Sequence, residues 1–68
     1  MRDFYKEFLC EIDDISGSTT LDTATFTYGF IWGRVTLARE LQLISADQME
    51  HIQKVADEAL EDWKTFFL

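Results

Sequence analysis

The run DTATFTYGFIWGRVTLARELQL, from Asp22 to Leu43, fits two local structures. Ala24, Phe26, Tyr28, Phe30 and Trp32 alternate with Thr23, Thr25, Thr27, Gly29 and Ile31, the period of two of a half-buried strand. A helical template fits as well. Phe26, Phe30, Gly33, Leu37, Leu41 and Ile44 fall on one stripe of a helix, and Tyr28, Ile31, Val35 and Ala38 on an adjacent one. Asp22 stands where an N-cap belongs, and the residues from Arg34 onward are good helix formers. A lone strand would have nothing to pair with in so short a chain. We therefore read a helix over about residues 22–43, with a Thr-rich first turn that frays or extends.

The flanking segments support helices too. Phe4, Phe8, Ile12 and Ile15 recur at i, i+4, i+8 and i+11, broadened by Tyr5 and Leu9, which predicts a helix over about residues 2–16. Gly17 is placed for a left-handed C-terminal stop, followed by a turn at Ser18, Thr19 and Thr20. On the other side, Ser45 and Gln48 are spaced as a capping box, with Ile44 and Met49 as its hydrophobic staple. Asp47 favours the positive end of the helix dipole. Met49, Ile52, Ala56, Leu60, Trp63 and Phe67 then carry an apolar stripe, predicting a helix over about residues 46–66. The expected fold is all-α: one domain over residues 1–68, a small three-helix bundle that forms a homodimer or half of a larger bundle.

Size and charge exclude several kinds of work. A chain of 68 residues is too short for a dinucleotide-binding or barrel enzyme, which needs roughly 100–250. Ten aromatic residues among 68 are too many for a solvated coil. A net charge of −7 opposes direct contact with nucleic-acid phosphates or anionic membranes. Residues 1–10 place Asp3 and Glu7 inside an aromatic pattern, so no signal peptide is expected, and no run approaches the ~20 apolar residues of a membrane span. A cytoplasmic protein is expected, in keeping with the single Cys10, which has no internal partner. Cys10 is expected to be a packing residue, since Glu11, Asp13 and Asp14 nearby discourage a thiolate.

Charge is unevenly distributed. Residues 1–16 carry a net −3, residues 17–44 carry zero and residues 45–68 carry −4. The neutral middle helix is expected at the centre, flanked by acidic outer helices.

No residue pattern points to catalysis, a cofactor or a metal. There is no Ser–His–acid or Cys–His grouping and no Gly-rich loop with a Lys. His51 could share a face with Asp47 and Glu58, but one His with exposed carboxylates is a poor zinc set. Asp14, Ser16, Ser18, Thr20 and Asp22 place oxygens at the odd positions of a calcium loop. Thr19 and Thr25 stand where that loop needs Gly and Glu. Residues 37–52 resemble a DNA-reading helix-turn-helix, but Gln42 stands at or near the usual turn glycine, the turn is one residue too long, and the second helix would carry Asp47, Glu50, Asp57 and Glu58 against Lys54 alone.

Two surfaces remain. Gly29 and Gly33, four apart on a helix, allow close approach of another backbone, either inside the monomer or across a homodimer. With Trp32 and the C-terminal Trp63, Phe66 and Phe67 they form the expected packing or dimer interface, because this chain has more aromatics than one small core can cover. The carboxylates Glu50, Asp57, Glu58, Glu61 and Asp62 line the third helix, with Lys54 and Lys64 the only relief, and Glu7, Glu11 and Asp14 line a second side on the first. These rows either solubilise the chain or bind a protein partner with a basic surface. The function expected is thus a small acidic, non-enzymatic binding module, an inhibitor of the kind phages and plasmids encode, acting on a basic nucleic-acid-handling protein. A helix-turn-helix DNA-binding regulator and a structural homodimer or assembly subunit are the alternatives.

Overall fold

Each helix begins where a side-chain oxygen accepts from an otherwise free backbone amide, and the structure, a computed structural model describing residues 2–68, has three such starts. Asp3 Oδ1 accepts from the Lys6 amide at 3.1 Å and opens α1, Phe4–Ser16. Thr20 Oγ1 accepts from the Thr23 amide at 3.1 Å and opens α2, Leu21–Glu40. Ser45 Oγ accepts from the Gln48 amide at 3.1 Å while Gln48 Oε1 accepts from the Ser45 amide at 2.9 Å. This reciprocal pair opens α3, Ala46–Phe67. The expected cap of α2 is thereby corrected from Asp22 to Thr20. Asp22 instead lies in the first turn, where its charge meets the positive end of the dipole. No strand occurs among the described residues, so the alternating pattern of residues 23–32 is carried by a helix.

Two helix ends depart from expectation. Gly17 has φ −84° and ψ −1°, so the stop after α1 is right-handed and needs no glycine. Ser18 completes it: its hydroxyl donates to the Asp14 carbonyl at 2.9 Å. The left-handed residue lies at the other end of α2, where Gln42 takes φ 59°. The Leu43 amide donates to the Ala38 carbonyl at 2.9 Å and the Gln42 amide to the Arg39 carbonyl at 3.1 Å. That pair of bonds is a Schellman motif, with Gln where Gly is favoured. It ends α2 at Glu40, three residues before the sequence pattern runs out.

Short connections make successive helices antiparallel, so α1 and α3 run in the same direction. Every pair of helices touches. Phe8, Ile12 and Ile15 meet Ala24, Ile31, Val35 and Ala38 of α2, and Ile52, Ala56, Leu60 and Trp63 of α3, with Ile44 closing one end. Small side chains on α2 let three helices converge. A triangular bundle has no central helix, and the expectation that α2 is enveloped by its neighbours is corrected: its outer half faces solvent. The molecule measures 37 × 18 × 16 Å. Helices of 20 and 22 residues span about 30 and 33 Å, so α2 and α3 both lie along the long axis. A helix-turn-helix crosses its helices at about 90–120°, and these proportions leave no room for that crossing.

One polar bond crosses the core. Trp63, 4% exposed, donates its indole Nε1–H to the Ser18 carbonyl at 2.8 Å, tying the end of α1 to the last turns of α3. Ser18 is itself buried. Replacing Trp63 by Phe orphans that carbonyl, and the variant is expected to lose about 2–3 kcal/mol in urea unfolding from the unpaired group and lost ring volume. Gln42→Gly relieves the left-handed strain at some cost in chain entropy. A net gain of about 0.5–1 kcal/mol is expected, read as a thermal midpoint higher by roughly 3–6 °C.

Candidate functional site

The carboxylates of α3 are solvent-facing because its apolar positions leave them no other direction. Ile52, Ala56, Leu60 and Trp63 fix the inner side, and Glu50, Asp57, Glu58, Glu61 and Asp62 are all exposed on the outer one. Glu61 pairs loosely with Lys64 at 3.7 Å. Asp57 lies nearest α2 and accepts from the Tyr28 hydroxyl. Glu50, Glu58 and Asp62 have neither an ion pair nor a side-chain hydrogen bond among the described residues. The carboxylates expected to form an acidic face are therefore exposed on α3, and one of them, Asp57, is engaged by Tyr28 of α2.

Helix α1 contributes less than its composition implies. Arg2 Nε and Nη2 donate to the two oxygens of Glu7 at 3.1 and 2.9 Å, a fork that lowers the Glu7 pKa and raises that of Arg2. Arg34 of α2 donates to Glu11 at 2.6 Å and lays its guanidinium 5.3 Å from the Phe8 ring centroid and 5.4 Å from that of Phe30. Two of the three carboxylates expected to form a second acidic side are thus neutralised within the chain.

Tyr28 is half-buried, its ring 5.4 Å from that of Trp32 and its hydroxyl on Asp57. Burial, helped by the neighbouring carboxylate, raises its pKa to about 12.

Apolar surface is where the structure departs furthest from expectation. Trp63, expected on the buried stripe of the third helix and also in a packing or dimer interface, is a core residue, whereas Phe67, expected on the same buried stripe, is not. Phe67 stacks over the Trp63 ring at 4.8 Å and Phe66 meets Phe67 edge-on at 5.1 Å, and these two stay exposed. Gly29 and Gly33 are exposed, with no atom within 4 Å of where a Cβ would stand. Nothing packs on either glycine, which removes the idea that they allow close packing inside the monomer. Trp32 is half-buried beside Tyr28. The larger exposed feature is the outer face of α2, where Phe26, Phe30, Leu37 and Leu41 stand beside Gly33. All five lie on the first of the two stripes in the helical pattern. Size alone does not distinguish them, since the inward stripe holds Tyr28 beside Ile31, Val35 and Ala38.

The remaining candidates have structural roles. Cys10 is exposed rather than packed, because α1 turns Phe8, Ile12 and Ile15 inward and Cys10 lies across the helix from them. His51 Nδ1 meets the Tyr5 hydroxyl, which joins α3 to α1. Ser18 and Thr20 of the calcium-like series are spent as caps. No group of three His, Cys, Asp or Glu that could hold an ion occurs among the described residues. No helix of the described residues is long and apolar enough to cross a membrane.

A scan of family models and searches of curated proteins and of solved structures found no match.

The raised Tyr28 pKa has a consequence for stability. The folded state holds this proton more tightly than the unfolded chain, whose tyrosine titrates near 10. The contribution of the Tyr28–Asp57 bond is complete below about pH 10 and is lost as pH rises toward about 12. Urea unfolding of the parent and of Tyr28→Phe should differ most at neutral pH and converge across that alkaline window.

Proposed function

We propose that the protein is a non-enzymatic binding module whose α3 carboxylates engage a basic surface on another protein, of the kind that nucleic-acid-handling proteins present to phosphates. What supports it is the set Glu50, Glu58 and Asp62, unpaired among the described residues and held on a well-capped helix of 22 residues. A row of carboxylates on a preformed helix presents charge without any folding of the backbone on binding, which limits the entropic cost. The net charge of −7 steers a basic partner toward encounter, over the ~8–10 Å on which salt permits such fields to act. Occupying a surface that otherwise binds phosphate blocks it, so the expected consequence of binding is inhibition.

Affinity capture on the immobilised chain tests this when run beside the variant Glu58→Lys/Glu61→Lys/Asp62→Lys. The three positions are exposed, so circular dichroism should show an unchanged fold. A basic protein retained by the parent should be lost by the variant and should elute as salt rises. Loss of three charge contacts is expected to weaken its binding by at least about 30-fold in titration of the purified pair. Equal retention on both chains would show that α3 does not carry the interaction.

A further inference from the structure

We infer that the outer face of α2 is a self-association surface, on which a second copy of this chain packs with its own α2 antiparallel about a two-fold axis between Gly33 and Arg34. This goes beyond the binding role of α3 and does not rest on it. The exposed apolar residues are spaced symmetrically about that point. Phe26 and Leu41, the C-cap of α2, are equally far from it, and so are Phe30 and Leu37, all on the exposed stripe next to that of Ile31 and Val35 and on the side of α2 toward α1. A two-fold axis there sets each Phe of one copy against a Leu of the other, with Gly33 at the crossing. A parallel pairing would instead oppose Phe to Phe and Leu to Leu and align the two helix dipoles unfavourably.

Three further observations favour a second copy over another occupant. The first is area. Phe26, Phe30, Leu37 and Leu41 are 74%, 55%, 54% and 60% exposed, roughly 500 Å² per chain at about 200 Å² for each large side chain. Two copies supply about 1,000 Å², which the surrounding rim brings to the ~1,200 Å² at which specific interfaces begin. The second is charge: residues 17–44 are neutral, so α2 is the face that a like-charged copy can approach, whereas α1 and α3 repel it. The one cation near the crossing, Arg34, is turned aside onto Glu11. The third is the glycine pair. Each costs about 1 kcal/mol of helix propensity against Ala, and no contact within the chain uses the space they leave. An approaching helix does.

Sedimentation equilibrium of the purified chain tests the state, and two surface variants test the register. The 8.0 kDa chain should sediment as a particle of about 16 kDa at roughly 100 μM, and added salt should strengthen the association by screening two anionic copies. That sign is opposite to the one expected for a basic partner on α3, so the two ideas fail separately. Phe30→Lys and Leu37→Glu should each weaken dimerisation by at least about 100-fold while keeping parent helicity, since both positions lie outside the core. An equimolar mixture of the two variants should recover at least about ten-fold of that loss, because the ammonium introduced on one chain then faces the carboxylate introduced on the other. A parent that stays at 8.0 kDa, a dimer that survives both variants, or a mixture no tighter than its components would each overturn the inference.

Discussion

The hydrogen bond from the Trp63 indole to the Ser18 carbonyl sets the frame on which the other contacts are built. A chain of this size buries little surface, so helix register is weakly determined by apolar packing alone. A buried donor and a buried acceptor that satisfy one another remove that freedom, since sliding either helix by a turn orphans both. With α1 and α3 held at this end, Tyr5 meets His51 toward the other, and the two parallel helices form a cleft. Helix α2 fills that cleft with its small residues and is locked by Arg34 on Glu11 and Tyr28 on Asp57.

The same frame determines what is left outside. A triangle of helices covers one side of each member, so a chain whose middle helix is apolar around most of its circumference must leave half of that apolar surface uncovered. The outer helices differ because their exposed sides are charged. The molecule therefore presents two unlike faces, a carboxylate row on α3 and a neutral apolar strip on α2, each suited to a different kind of contact.

Local features were legible in the sequence, and features that depend on the third dimension were not. The Ser45–Gln48 capping box is complete within four residues, and α3 forms where the pattern places it. Asp22 and Thr20 are both competent caps, and local chemistry does not choose between them. Gly17 reads as a left-handed stop, yet Ser18 and its tie to Trp63 hold the turn in the right-handed region. Both stripes of α2 are apolar, so periodicity is degenerate there. The tie is settled only by the fold, which turns Ile31, Val35 and Ala38 into the core and leaves Phe26 and Phe30 outside. Trp63 falls on the apolar stripe of the third helix, but its polar partner, 45 residues away, leaves no mark in the local pattern. The acidic row was legible because a charged side chain on an amphipathic helix has only one direction to take.

The unequal reach of these contacts orders the assembly of the molecule in time. Helices α2 and α3 are joined by a turn whose Schellman bonds and capping box are all made within a few residues, so their hairpin closes with little loss of chain entropy. Helix α1 is the shortest at 13 residues, and its ties to α3 span 45 and 46 positions, so docking it closes the longest loops in the molecule. Its departure would bare the core face of the hairpin as one long apolar groove. An α2–α3 hairpin without α1 is thus the species in which that groove would stand open to other chains.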